Sequence, residues 1–168
     1  GIRNAKKLRV ATAPGQVVSM DQLISPTPGF VPTHRGRPTL KRYVGATIFV
    51  DHFSDFTYIH LMTEMTAQAT VDAKLAFERM SQSRGVRIQH YHSDNGLFDT
   101  KLFRAAVASA QQTLSFCGVN AHHQNGKAEN RIKDVTTNAR TSLIHAAHRW
   151  PNAIDASLWP SALKNYTN

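Results

Sequence analysis

The most informative stretch of this sequence is Asn120-Ala-His-His-Gln-Asn-Gly-Lys-Ala-Glu-Asn-Arg-Ile-Lys133. It begins as a polar, glycine-containing loop and continues into an amphipathic helix, which the spacing predicts over residues 125–148. One side of that helix carries apolar residues at the interval of a core-facing stripe, namely Ala128, Ile132, Val135, Ala139, Leu143 and Ala146. An adjacent stripe with the same period is polar and consists of Glu129, Lys133, Thr136 and Arg140. A single acid therefore lies at the end of a basic ridge, which suits a polyanion together with a metal ion.

The composition limits the class of protein. A chain of 168 residues is long enough for one domain with a buried core. Lys and Arg total 20 against 11 Asp and Glu, and the formal net charge of +9 predicts an anionic partner, first nucleic acid and second an anionic membrane surface. No apolar run approaches the roughly 20 residues that span a bilayer, so we favour nucleic acid and expect no membrane partner.

The first residues differ from the rest of the chain. Residues 1–14 are basic, show little apolar periodicity and end at Pro14-Gly15, and no initiator Met precedes them. We interpret residues 1–14 as a basic linker or flank of a longer polyprotein and residues 15–168 as one core domain. The single cysteine, Cys117, has no internal disulfide partner, and its apolar surroundings predict a buried strand residue.

Periodicity predicts an α/β fold. Strands are expected over residues 16–24, 43–50, 56–62, 86–94 and 113–119, and helices over 66–84, 100–112, 125–148 and 152–166. The prolines between Pro26 and Pro38 predict a long exposed loop rather than a central strand or a helix. This order of elements predicts a mixed five-stranded sheet flanked by helices.

Three carboxylates lie where the local pattern does not require an acid. Asp21 is inside the first strand, Asp94 ends the fourth, and Glu129 opens the long helix. If the first and fourth strands are neighbours, both Asp side chains can point to a common place that Glu129 reaches from above. Oxygen ligands of this kind suit two Mg²⁺ or Mn²⁺ ions and phosphoryl transfer. Each acid alone also has a structural explanation, such as stabilisation of Glu129 by the helix dipole, so the hypothesis depends on their coincidence.

Two other groups of residues have a simpler interpretation. Asp51 and Asp55 lie in the connection between two strands, where acids make local turn hydrogen bonds. His90, His92 and Asp94 share one strand face, but a half-buried strand histidine more often pairs with a neighbour than binds a metal. We therefore favour a structural role for Asp51, Asp55 and both histidines.

Several pieces of the sequence resemble the catalytic core of retroviral-type integrases, specifically those of copia-type retrotransposons. They are Pro14–Asp21, Phe49–Ser54, His92–Gly96 and Gly118–Arg131, and the likeness extends from about Pro14 to the end. The resemblance implies a ribonuclease H-like fold, with Asp21, Asp94 and Glu129 as a catalytic triad that binds two Mg²⁺ or Mn²⁺ ions. The chain departs from the family in having 34 residues between Asp94 and Glu129, one fewer than usual.

The same resemblance implies an activity and its partners. The expected reaction joins the 3′ ends of retrotransposon DNA to target DNA, with water as the alternative nucleophile for end trimming. Asn125 occupies the loop position that touches the DNA end of the element, and Lys133 would contact its phosphates. We include Lys127 and Arg131, the basic neighbours of Glu129, among the DNA-binding residues. A homo-oligomer acting in the nucleus is also implied.

Two alternatives remain at this stage. The first is a ribonuclease H or a transposase-like nuclease on the same fold. The second is a non-catalytic DNA-binding or assembly module derived from an integrase. Cleavage of RNA in a hybrid distinguishes the ribonuclease, and a failure to bind Mg²⁺ or Mn²⁺ distinguishes the non-catalytic module.

Overall fold

A computed structural model describes residues 8–32, 36–94, 98–117 and 126–167. The elements in chain order are β1 (Val18–Gly29), β2 (Tyr43–Asp51), β3 (Thr57–Met62), α1 (Ala67–Ser83), β4 (His90–Ser93), α2 (Lys101–Ser109), β5 (Thr113–Phe116), α3 (Gly126–Arg149) and α4 (Trp159–Thr167). A short 3₁₀ turn, Ala156–Leu158, precedes α4. No helix in the described ranges is both long enough and apolar enough to cross a membrane.

The five strands form one mixed sheet in the order β3-β2-β1-β4-β5. β1 pairs with β2, and β2 with β3, in the antiparallel direction. β1 pairs with β4, and β4 with β5, in parallel. The predicted sheet and the predicted neighbourhood of the first and fourth strands are both confirmed.

Helices cover both faces of the sheet. On one face α1 and α2 bury an aromatic core in which the rings of Phe49 and Phe77 stack with centroids 4.6 Å apart. On the other face α3 and α4 bury Ile48, Val135 and Trp159 with their neighbours. The apolar stripe of α3 predicted from the sequence therefore does face the sheet, and its polar stripe lies beside it.

A buried polar network ties α1 to β4. Lys74 is fully buried and its ammonium lies 2.8 Å from Glu78, which also accepts a 2.5 Å hydrogen bond from the Tyr91 hydroxyl. Gln112 donates to the same carboxylate oxygen at 2.8 Å. Burial, followed by the charge of Glu78, raises the pKa of Tyr91 well above its ordinary value. The network holds β4 against the helix on the face opposite to α3.

Two boundaries differ from the prediction. β1 continues through Pro26 and Pro28 to Gly29, because only Val18–Met20 pair with β4 and the later residues have no neighbour on that side. The pairing with β2 also shifts between Ile24 and Gly29, so the prolines interrupt no regular ladder. β4 begins only at His90, because the preceding residues bond elsewhere: Val86 N–H donates to Ser81 O and Gln89 N–H to Gly15 O.

The connection between β2 and β3 is organised by Asp51. Asp51 is 4% exposed, and its carboxylate accepts hydrogen bonds from Gly15 N–H at 2.8 Å, Ser54 N–H at 2.8 Å and Ser54 Oγ at 2.6 Å. These bonds close the turn and attach the segment before β1. The side chain of Asp55 is exposed and pairs with Lys127 at 2.8 Å. The predicted local turn hydrogen bonds are confirmed for Asp51, whereas the carboxylate of Asp55 pairs with a residue of α3.

We expect Asp51→Asn to destabilise the fold by about 2 kcal/mol, because an amide NH₂ then faces a buried N–H or hydroxyl donor. Asp55→Asn is the matched control and is expected to cost no more than about 1 kcal/mol, since it loses an exposed ion pair. Urea unfolding followed by circular dichroism measures both. Equal losses in the two variants would contradict this account of the turn.

Candidate active site

The pairing of β1 with β4 determines where two of the three predicted acids lie. Ser19 is opposite His92 and Met20 is opposite Ser93 in this parallel ladder. Because side chains alternate along a strand, Asp21 and Asp94 follow on the face that Ser19 and His92 occupy. That face is covered by α3, so both aspartates lie on the side of the sheet where Glu129 begins a helix.

The charges of Asp94 and Glu129 both act on Asp21. Burial is the largest effect and raises the pKa of Asp21 above its ordinary value of 3.8, while the Gln22 N–H, 2.7 Å from Asp21 Oδ1, opposes it. The negative charges of Asp94 and Glu129 raise the same pKa further. The structure therefore brings together acids from β1, the end of β4 and the first turn of α3.

Asp94 carries an unsatisfied oxygen at this place. Its Oδ1 is buried and has no hydrogen-bond partner among the described residues. A buried carboxylate oxygen without a donor is costly, and a bound cation would satisfy it. The donor set, three carboxylates and no thiolate, is of the kind that hard divalent cations prefer.

The three acids do not form a finished coordination shell. In the part of the chain that the structure describes, no group of three or more His, Cys, Asp and Glu is arranged to hold a metal ion. Charges act on one another well beyond the roughly 2.0–2.6 Å of a metal–oxygen bond. The effect of Asp94 and Glu129 on the pKa of Asp21 is therefore compatible with the absence of a metal-ligating group among the described residues.

The histidines beneath the acids are bonded within the sheet. His92 contacts Ser115 Oγ at 2.7 Å through Nδ1 and Cys117 Sγ at 3.3 Å through Nε2. His90 Nε2 contacts the same Ser115 hydroxyl at 2.7 Å. Burial, together with the neighbouring His90 and His52, lowers the pKa of His92 to about 4. Both ring nitrogens of His92 are thus engaged by neighbours, as the structural interpretation predicted.

The basic residues of α3 have different environments. Lys127 Nζ lies 2.8 Å from Asp55 Oδ1 and donates to the His52 carbonyl at 2.6 Å. Arg131 Nε donates to Thr57 Oγ1 at 2.8 Å, and its guanidinium lies over the Tyr166 ring. Lys133, one turn beyond Glu129, is exposed. No pattern in the sequence indicated that Lys127 and Arg131 hold α3 to the β2–β3 hairpin.

Some predicted positions lie outside the described residues. They include Asn125, the position that the resemblance assigns to contact with the DNA end. The Asn-Gly pair that follows Asp94 is also outside the described ranges.

No protein-family model matches the sequence, and no curated protein matches it. The fold, however, is similar to that of solved integrase structures. A chain in the structure of the simian T-cell lymphotropic virus intasome in complex with PP2A regulatory subunit B56 gamma superposes with a TM-score of 0.63 at 18% identity, over 93% of this chain and 49% of that chain.

Two catalytic core domains give the same result. The HTLV-2 integrase catalytic core domain in complex with magnesium, in its trimeric form, has a TM-score of 0.57 and 16% identity over 93% of this chain and 84% of that chain. The BIV integrase catalytic core domain has a TM-score of 0.57 and 16% identity over 89% and 81%. This chain spans about half the length of the intasome chain. It has the mixed five-stranded, ribonuclease H-like fold of retroviral integrase catalytic cores.

Proposed function

We propose that this protein is a DNA integrase, a polynucleotidyl transferase that joins the 3′ ends of retrotransposon DNA to target DNA. The observation that carries the proposal is that Asp21, Asp94 and Glu129 come from elements on one side of the sheet and that the charges of Asp94 and Glu129 act on Asp21. Its fold is that of integrase catalytic cores, which supports the same reaction class.

In this proposal the three acids hold two Mg²⁺ or Mn²⁺ ions. Such ions, when bound, supply Lewis-acid stabilisation of the attacking and leaving oxygens in an in-line displacement at phosphorus. The buried Asp94 Oδ1, which has no hydrogen-bond partner among the described residues, supports a cation at this position. The HTLV-2 core was solved in complex with magnesium, which supports this choice of ion for the fold.

Other residues of the protein hold the three carboxylates in position. Gln22 N–H donates to Asp21 Oδ1 at 2.7 Å and fixes the rotation of that carboxylate. Parallel pairing of β1 with β4 sets the spacing of the two aspartates. Glu129 is held by α3, which is anchored to the β2–β3 hairpin through Lys127 and Arg131. A substrate phosphodiester at this place would meet acids carried on three rigid elements rather than on loops.

DNA contacts are proposed along the polar stripe of α3. Lys133 is the exposed cation nearest to Glu129 on that stripe, and it is the residue we assign first to phosphate binding. Lys127 and Arg131 add positive charge at the same edge although part of their hydrogen-bonding capacity is used by the protein. Asn125 stays in the proposal as the contact for the DNA end.

The wider setting is part of the same proposal. We place the chain in the copia-type branch, with residues 1–14 as a flank and 15–168 as the catalytic core. Homo-oligomerisation is supported by the trimeric and dimeric forms in which the similar HTLV-2 core was solved. Action in the nucleus follows from the proposed substrate.

We expect Asp94→Asn and Glu129→Gln to reduce Mg²⁺-dependent strand joining to about one hundredth of the wild-type rate or less, since several kcal/mol of charge stabilisation are lost. The assay joins a labelled duplex end to plasmid DNA. Asp134→Asn, an equal charge change on the exposed side of α3, is expected to leave the rate unchanged. Undiminished joining by either active-site variant refutes the proposal, and cleavage of an RNA–DNA hybrid instead points to a ribonuclease.

We expect Asp21→Asn to raise the thermal midpoint by a few degrees at pH 7 in EDTA, because it removes a desolvated charge repelled by two acids. The pKa of Asp21 is higher in the folded state than in the unfolded state. Ionisation of Asp21 therefore destabilises the fold at pH values above both pKa values. The advantage of the variant should therefore disappear as the pH falls towards the ordinary value of 3.8. Differential scanning fluorimetry measures the thermal midpoints of the wild type and the variant at each pH.

In the presence of Mg²⁺ the wild type should have the higher thermal midpoint of the two, because only the wild type then gains binding energy from the ion. Asp134→Asn is the control in both conditions and should follow the wild type. Equal Mg²⁺-induced shifts in wild type and Asp21→Asn would count against a metal site at this carboxylate.

We expect Lys133→Ala to weaken duplex DNA binding and to reduce the slope of log K against log salt by about 0.9, the value for one phosphate contact. Lys101→Ala removes an exposed cation from α2 and serves as the control. Fluorescence anisotropy at several salt concentrations measures both. An equal change of slope in the two variants would mean that Lys133 has no special contact.

A further inference from the structure

A pocket lies at the end of the sheet where β4 begins, away from the three acids. It has a volume of about 490 Å³, which is within the roughly 300–1,000 Å³ of ordinary ligand sites. Its walls include Arg9 from the segment before β1, Arg87 from the residues before β4, and Gln111 and Thr113 at the start of β5. Asp94 follows the other end of β4, so about 13 Å of strand separates the pocket from that carboxylate.

Main-chain contacts of Gly15 bring the walls of the pocket together. The Gly15 carbonyl accepts a hydrogen bond from Gln89 N–H at 2.8 Å, and the Gln89 carbonyl accepts one from Thr113 N–H at 3.0 Å. Gly15 has a φ of +83°, and a Cβ at this position would lie 2.3 Å from the Arg87 carbonyl oxygen. Only glycine allows this close approach. The segment before β1 therefore passes beside Arg87 and places Arg9 in the same pocket.

The two arginines carry positive charge that the protein does not neutralise. Arg9 and Arg87 are exposed, and neither guanidinium has an ion pair or a hydrogen bond with another residue that the structure describes. None of the described residues that line the pocket is acidic. Glu78, which lines a neighbouring cavity together with Arg87, binds Lys74 and Tyr91 instead. The pocket therefore favours an anion.

Uncharged hydrogen-bond donors complete the lining. Gln16 Oε1 accepts from Thr12 N–H at 2.8 Å, and the side-chain NH₂ of Gln16 has no partner among the described residues. Thr113 Oγ1 lies 2.6 Å from His90 Nδ1. When that nitrogen carries the imidazole proton, the Thr113 hydroxyl proton is left for a ligand. Guanidinium, amide and hydroxyl donors without a competing carboxylate are the groups that bind phosphate.

Gln111 has a backbone conformation that favours glycine. It follows α2 with a φ of +56°, at the position after a helix where glycine is most common. A residue with a Cβ costs stability in this left-handed conformation. The fold thus keeps an amide side chain at the wall of the pocket at some loss of stability, as is common at functional sites.

We propose that this pocket binds the phosphate of a small organic phosphomonoester, with the phosphate between Arg9 and Arg87 and the Gln111 amide donating to it. A phosphomonoester carries a charge of about −1.5 to −2 at pH 7. Each backbone phosphate of DNA carries only one negative charge. Two arginines without protein partners and no lining acid match the higher charge. The pocket is a second site, and it does not depend on the proposed function of the three acids.

The test compares phenyl phosphate, a monoester, with methyl phenyl phosphate, the diester with the same ring, by NMR titration in EDTA. We expect the wild type to bind the monoester about tenfold more tightly than the diester. Arg9→Gln and Arg87→Gln should each raise the Kd for phenyl phosphate about tenfold, the effect of one lost charge-assisted hydrogen bond. Arg79→Gln removes an exposed charge from α1 and, as the matched control, should change this Kd less than about twofold.

The same titration locates the ligand. Phenyl phosphate should move the backbone amide signals of Gln89, Gln111 and Thr113, which belong to the pocket. The amide signal of Gln22, which donates to Asp21, should stay in place.

Gln111→Gly separates a binding role from a structural one. Glycine relieves the left-handed conformation, so the thermal midpoint should rise by a few degrees. The Kd for phenyl phosphate should nevertheless rise about threefold, because an amide donor is lost. An unchanged Kd in this variant contradicts the proposed contact with the phosphate.

The proposal is overturned if the Arg9 and Arg87 variants bind phenyl phosphate as Arg79→Gln does, or if the moving signals are those around Gln22. It is also overturned if the wild type binds the diester as tightly as the monoester and Arg87→Gln weakens duplex DNA binding by the same factor, since the pocket is then part of a DNA-binding surface. Preferential monoester binding that both arginine variants lose supports the pocket, whether or not the protein joins strands.

Discussion

The short parallel ladder between β1 and β4 is the constraint on which the site depends. It contains three residue pairs, Val18–Met20 with Tyr91–Ser93, and it alone sets Asp94 relative to Asp21. A slip of one residue would move Asp94 to the opposite face of the sheet. The network of Lys74, Glu78 and Tyr91 holds β4 from the other face, so a ladder of few hydrogen bonds is supported by buried polar contacts.

The carboxylates at this site reduce the stability of the fold, and the apolar packing elsewhere offsets that loss. Asp21 is half-buried beside two other acids, and its pKa is raised by burial and by their charge. Asp94 Oδ1 is buried without a partner among the described residues. Such groups cost stability in a protein without a ligand, and the large apolar cores on both faces of the sheet can supply it.

Positive charge has two different uses in this chain. Lys127 and Arg131 bind Asp55, the His52 carbonyl and Thr57, and so attach α3 to the β2–β3 hairpin. Lys133 and Arg140, further along the same helix, are exposed. The net charge of +9 therefore overstates the charge that is free of contacts within the protein near the acids.

The sequence by itself determined the element order, the strand alternation around Asp21 and the amphipathic side of α3, because these follow from local periodicity. It also singled out the three acids, since each breaks a local pattern. It did not determine that β1 extends past Pro26 and Pro28, or that Lys127 and Arg131 bind the hairpin. Those features arise from residues distant in the chain that meet only when the sheet and helices pack. Tertiary structure alone decides such contacts, because no local spacing encodes the partner.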